Sequence, residues 1–273
     1  MEIDFDVVIE SDDYSVEMSK GLETLQGASE VTRQVFETIL LEKVPQHLTT
    51  NSKVRTKLMR SFKGSYGQSF CLETDDQELE KRLKSIGKQA FAELLSYFIN
   101  ESLYRETKLL SVKAERIRAK LGPLEDELIT QMRRSSLAHL HSVSTHFGKT
   151  VKLRYRKNRD VQTVLADLDQ FSFSALNPKV DKTKVVINAS ITRLNINTGN
   201  GRLQIEGEAE TVAFGFPNRY ADVRQVAKKQ FSKNLDDNNG LPNEKRIKLK
   251  LEAHTLKLKS GKIIKYLIEG IIN

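Results

Sequence analysis

The sequence predicts an α+β chain, with an N-terminal strand–helix–hairpin sheet and long helical hairpin, then a C-terminal small β-barrel of the OB or SH3-like kind with one helix. Three observations predict it. Apolar residues alternate with acids over Ile3-Asp4-Phe5-Asp6-Val7, a period of two that marks a strand. Leu79, Leu83, Ile86, Ala90, Leu94 and Phe98 then recur near the helical period. Beyond residue 178 short alternating runs follow one another with turn residues between them, in the order β-β-β-α-β-β. The predicted division is therefore 1–177 and 178–273.

The elements follow in order. Strand character runs from Ile3 to Ile9, and Ser11-Asp12-Asp13 supplies turn and N-cap chemistry. Met18, Leu22, Leu25, Val35, Phe36, Ile39 and Leu40 predict a helix from about Ser15 to Lys43, ended by Pro45. Gly21 and Gly27 interrupt it, each costing about 1 kcal/mol relative to Ala. Residues 54–62 and 66–72 predict a hairpin across Lys63-Gly64-Ser65, pairing with the first strand and placing Val54, Leu58 and Phe62 on one face.

Helical spacing continues from Asp76 to Leu121 with a break near Asn100. Gly122-Pro123 then starts a second helix, with Glu125, Asp126 and Glu127 in its first turn, that runs to about Phe147. This hairpin would cover the sheet or protrude as an assembly arm. Val151 to Arg156 alternates strictly, and the stretch through Asn177-Pro178 is the expected linker. In the barrel, strands are expected at 185–194, 202–206, 211–216, 247–258 and 263–271, with a helix at 217–234.

Charge is unevenly distributed. The chain has 44 Lys plus Arg against 36 Asp plus Glu, a net charge of +8. Residues 1–50 hold eleven acids and three bases, whereas 178–273 holds eighteen bases and ten acids. Such an acidic head and basic tail can attract each other, and the basic half can face a polyanion. The one cysteine, Cys71, leaves no internal disulfide framework. No run approaches the roughly 20 apolar residues of a membrane span, and the acidic start carries no secretory pattern, so a cytoplasmic protein without a membrane partner is expected.

The candidate functional residues are basic. Arg246, Lys248 and Lys250 alternate with Ile247, Leu249 and Leu251, with Lys257 and Lys259 extending the stripe and Arg202 beside a glycine turn. Lys152, Arg154 and Arg156 form a second stripe. Converging on one groove, they would bind several phosphates with steep salt dependence. The bland alternative is a solvated sheet face on which Lys deters edge-to-edge association.

Other constellations are weaker. His139 and His146 are seven apart without an interleaved acid, which fits structural histidines better than a metal site. Cys71 fits a small buried hydrophobe. Glu106-Thr107-Lys108 has nuclease-like E-x-K spacing but lies in a predicted helix. Asp4, Asp6, Glu10, Asp12 and Asp13 could hold a cation, though capping and solvation explain them more simply. Neither glycine turn completes a phosphate-binding fingerprint. No catalytic residue, metal or cofactor is assigned.

Two stretches carry a resemblance. Ile191-Thr192-Arg193-Leu194-Asn195-Ile196-Asn197-Thr198-Gly199-Asn200-Gly201-Arg202-Leu203 and Lys262-Ile263-Ile264-Lys265-Tyr266-Leu267, with the Gly64-Ser65 hairpin earlier, resemble a group of uncharacterised bacterial two-domain proteins, some in phage-defence settings. The resemblance implies architecture and context and transfers no catalytic residue. The first stretch also resembles the opening of cold-shock and S1-type barrels, whose outer aromatics stack bases. Here Leu203 and Ile205 belong to the core, and Phe214 and Phe216 fit it better than a stacking platform. The expected function is therefore a non-enzymatic nucleic-acid-binding or accessory component of anti-phage defence, contacting nucleic acid or a nucleic-acid-processing protein. The alternative is an oligomeric scaffold or sensor subunit joined through the helices and through contacts between acidic head and basic tail.

Overall fold

Strand β1 (Ile3–Ile9) forms where the sequence alternates, and helix α1 (Met18–Leu41) follows with the Glu17 carboxylate accepting from the Ser19 and Lys20 amides. These belong to a computed structural model that describes residues 2–49, 52–62, 65–158 and 160–272. The chain divides into two units, one of Met1–Leu103 with Thr107–Leu176, the other of Tyr104–Glu106 with Asn177–Asn273. No described helix is long and apolar enough to cross a membrane.

Unit 1 adds strands β2 (Val54–Phe62) and β3 (Tyr66–Thr74), helices α2 (Gln77–Ile86), α3 (Lys88–Ser102), α4 (Val112–Leu121), α5 (Leu124–Arg134), α6 (Ser136–Leu140) and α7 (Ser142–Phe147), strands β4 (Val151–Arg156) and β5 (Gln162–Leu168), and helix α8 (Gln170–Ser174). Its sheet has the order β2-β3-β1-β4-β5 with every neighbouring pair antiparallel. The turn read at Gly64 lies outside the described residues. Leu58 is exposed, because β2 is an edge strand with a register shift between Leu58 and Ser61. One sheet face packs Ile3, Phe5, Val7, Leu72, Leu153 and Tyr155 against the helices in one continuous apolar core.

Three expectations need correction. The long helical hairpin is a set of shorter helices. Gly87, at φ 83°, separates α2 from α3, and α5, α6 and α7 are divided at Ser135 (φ −145°) and His141. At the second break the buried His141 ring uses Nδ1 on the Leu137 carbonyl and Nε2 on Ser172 Oγ (2.6 and 2.8 Å), side-chain bonding that competes with a continuous helix. Nor do these helices protrude as an arm, since Leu128, Met132, Leu137, Leu140 and Val143 lie in the core. The expected linker instead contains β5 and α8, the latter held by an Asp169–Ser172 capping box.

Unit 2 is a five-stranded closed barrel. Its strands are β6 (Lys179–Leu194), β7 (Gly201–Ile205), β8 (Thr211–Gly215), β9 (Leu249–Lys257) and β10 (Ile263–Ile271), with helix α9 (Gln225–Asp237) between β8 and β9. The first part of β6 pairs with β9 and its end pairs with β7. β8 runs antiparallel to β7 and parallel to β10, and β10 returns to β9 to complete the ring. Ala189, Ile191, Leu203, Phe214, Leu251, Ala253, Tyr266 and Ile268 fill the interior. Phe231 of α9 joins them, stacked on Phe214 at 5.7 Å between centroids.

The α9 helix runs three residues past its expected end because Asn234 and Asn238 have backbone partners. Asn234 Oδ1 accepts from the Ile191 amide (2.8 Å), both Nδ2 groups donate to the Ile247 carbonyl (2.9 Å each), and Asn238 Oδ1 accepts from the Ile247 amide (2.7 Å). These two side chains tie the helix to β6 and to the chain entering β9. Phe216 packs edge-on against Phe231 at 5.3 Å, so both strand phenylalanines serve the core as expected.

Candidate nucleic-acid interface

Antiparallel pairing of β4 with β1 sets Arg154 opposite Asp6 and Arg156 opposite Asp4. The stripe read as a cationic outer face is thereby matched with the acidic strand beside it. Asp6 is fully buried and receives Arg154 Nη2 (3.2 Å), Arg156 Nε (3.0 Å), Arg156 Nη2 (2.8 Å) and Ser69 Oγ (2.9 Å). Both guanidinium groups also lie near the Phe62 ring, at 5.6 and 5.5 Å from its centroid. Lys152 is bonded to Glu10. These three cations hold the sheet together, and the acids they occupy are those of the head proposed to meet a basic tail.

In the barrel, Arg202 is buried, with Nε on Thr211 Oγ1 and Nη2 on the Thr211 carbonyl (2.7 Å each) and Nη1 on the Arg105 carbonyl at 3.2 Å. Thr211 Oγ1 also donates to Glu106 at 3.1 Å. Residues Tyr104–Glu106 are thus secured to the outer side of β7 and β8. The E-x-K spacing at Glu106 falls between α3 and α4, outside any helix, and Glu106 accepts a structural hydrogen bond.

Arg246 precedes β9, donating to Gln204 Oε1 (2.7 Å) and the Leu241 carbonyl (3.2 Å). Lys248 pairs with Glu206 at 2.8 Å, and Lys248 with Asn188 holds that carboxyl below the usual carboxylate range. Lys250 is exposed opposite Asn188. The expected single stripe does not extend along the hairpin. Lys257 has the strand parity of the inward-facing Leu251, Ala253 and Thr255, opposite to Lys250. At ~3.4 Å per residue the two ends of β9 also lie roughly 25–30 Å apart. Between them Lys184 bridges Glu252 and Glu269 (3.0 Å each) and His254 meets Glu269 at 2.7 Å, so the one lysine in the middle of this stretch is matched by carboxylates.

The basic side chains that do gather are at the far end. Antiparallel pairing sets Lys179 directly opposite Lys257, and the β9–β10 turn closes with the Leu258 amide on the Lys262 carbonyl at 2.9 Å. Lys179, Lys182, Lys257, Lys259 and Lys262 therefore share one end of the barrel. Lys257 is paired with Asp181 at 2.7 Å, and with the Thr183 amide it holds that carboxyl well below its usual range. The other four lysines are exposed and make no ion pair with a described residue. Like charges facing across a strand pair are unfavourable, so the arrangement suits an external anion.

Lys257 and Lys259 were identifiable from sequence, whereas Lys179, Lys182 and Lys262 were missed. The missed signal was the run Lys179-Val180-Asp181-Lys182-Thr183-Lys184, which extends β6 six residues before the expected start and brings it into register with Lys257.

Two other constellations remain structural. His139 bonds Glu30 at 2.8 Å and His146 the Ser142 carbonyl at 2.9 Å. Glu2, Cys71 and Glu73 lie within ligand distance of one another, but burial and the neighbouring acids push the thiol up, and Glu73 is paired with Lys57 at 2.6 Å. Comparison with family models, curated proteins and solved structures gives no match for this chain.

Proposed function

We propose that unit 2 is an OB-type barrel that binds single-stranded nucleic acid through its phosphates, without sequence preference. The observation that carries this reading is the gathering of Lys179, Lys182, Lys257, Lys259 and Lys262 at the β9–β10 end, where among the described residues only Lys257 is in an ion pair, with Asp181. The strand circuit β6-β7-β8-β10-β9, with β8 and β10 parallel and a helix between the third and fourth strands, supports the OB assignment. In that architecture the loop joining the fourth and fifth strands contacts oligonucleotides, and here it carries Lys259 and Lys262. Phe214 and Phe216 are committed to the core, which favours contact with phosphates over base stacking. An accessory role in bacterial anti-phage defence belongs to the proposal through the sequence resemblance alone. Two of the acids on which the scaffold alternative draws, Asp6 and Glu10, pair with Arg154, Arg156 and Lys152 of the same sheet.

Anisotropy of a labelled 20-nucleotide single strand tests the location. Lys182→Glu/Lys259→Glu/Lys262→Glu is expected to weaken binding about 100-fold, the loss of roughly three phosphate contacts. Arg224→Glu/Lys229→Glu/Lys233→Glu, with the same change in net charge placed on α9 and the residue that precedes it, should weaken it less than about tenfold, through the general field alone. Equal losses in the two variants would remove the assignment to this end of the barrel.

A further inference from the structure

Unit 1 contains an open groove of about 700 Å³ between the end of α1, helix α2 and helix α4. Its floor is aliphatic, formed by Ile39, Leu40, Ile86, Ile117 and Leu121, with the largely exposed Val112 at one edge. Its rim is cationic. Lys113, Arg116 and Lys120 line the α4 side, Arg82 stands on the α2 side, and Glu42 is the one acid among the described lining residues. Arg82 is anchored, donating to the Leu40 carbonyl at 2.8 Å and pairing with Glu78 at 3.3 Å. The three α4 cations are exposed and make no ion pair with a described residue.

Spacing narrows the occupant. Lys113, Arg116 and Lys120 follow an i, i+3, i+7 pattern, so they share one helix face over roughly 10 Å. An amphiphile with a single anionic head matches one of them and leaves the rest uncompensated. A nucleic acid matches the charges but offers no aliphatic edge for Ile86, Ile117 and Val112. A helix with an apolar stripe flanked by carboxylates at i, i+4 and i+7 satisfies floor and rim together.

We infer that this groove docks an acidic amphipathic helix of a partner protein. The site is independent of the lysines on unit 2, so either assignment can fail alone.

The test uses the full chain and an 18-residue labelled peptide amide with Leu at i, i+3, i+4 and i+7 and Glu on both flanks. A second peptide has Lys in place of every Glu, and oleate and the 20-nucleotide strand serve as competitors. Binding of the Glu peptide, and not the Lys peptide, is expected. Lys113→Glu/Arg116→Glu/Lys120→Glu should weaken it about tenfold or more, and Ile117→Gln should weaken it with the charges intact, both with unchanged circular dichroism. The inference is overturned if the two peptides bind alike or not at all, or if the triple variant retains full affinity. Displacement of the Glu peptide by oleate or by the oligonucleotide at lower concentration than by unlabelled peptide would overturn it in favour of that ligand.

Discussion

Replacing Asp6 with alanine will speed amide exchange at Phe5–Val8 by roughly two to four orders of magnitude, corresponding to about 3–5 kcal/mol for removing one partner of a buried ion pair. The expectation follows from where Asp6 sits. Its carboxylate is fully buried at the centre of the unit 1 sheet and is the common acceptor for Arg154, Arg156 and Ser69. Without it, Arg154 and Arg156, whose side chains are 23% and 15% exposed, lose the carboxylate they share, and Arg154 Nε already makes no hydrogen bond with a described residue. Asp6→Asn keeps the shape and some hydrogen bonding, so its effect should be smaller. Glu10→Ala, which removes the more exposed pair with Lys152, should cost less than about 1 kcal/mol. Equal exchange in Asp6→Ala and wild type would show that the cluster does not hold the sheet.

The second large effect is one of sign. Gly27 lies inside α1, where alanine would ordinarily stabilise by about 1 kcal/mol. A Cβ at this position would stand 2.1 Å from the Leu140 amide nitrogen and 2.6 Å from the Leu140 Cα, both backbone atoms of α6. The close approach is fixed on either side by Val143 N to Thr24 Oγ1 (3.1 Å), Ser142 Oγ to Glu23 (2.8 Å), His139 to Glu30 (2.8 Å) and Ser136 Oγ to Gln34 (2.7 Å). Alanine must therefore separate the helices, at roughly 2–3 kcal/mol net and a fall in melting temperature of about 5–10 °C. At Gly21 the nearest atom to such a Cβ is a Val16 methyl at 2.9 Å, which can rotate away, so Gly21→Ala should leave the melting temperature level or higher. A Gly27→Ala protein as stable as wild type would contradict the seam.

These two residues also mark the limit of what sequence could show. Gly27 registered as a helix interruption with a local cost, because its reason lies 113 residues away at Leu140. The acids of β1 and the cations of β4 were each legible as strand faces, while their mutual neutralisation depends on the order β3-β1-β4. Strand periodicity located β1, β7, β8 and β10 within a residue or so, since period-two patterning is a local property. It missed β5, an edge strand whose first three residues are exposed and whose pairing with β4 shifts register at Leu153/Arg154. Charge content pointed to the barrel, but only register distinguishes Arg202 and Arg246, tied into backbone, from lysines that collect at one end.

The most direct test of the phosphate-binding assignment is a salt titration of the full chain with a labelled 20-nucleotide single strand. Phosphate contacts by the four unpaired lysines predict a slope of about −2.8 in log affinity against log salt, or roughly 50-fold between 50 and 200 mM. A slope near zero, or no binding at the low-salt end, would contradict it.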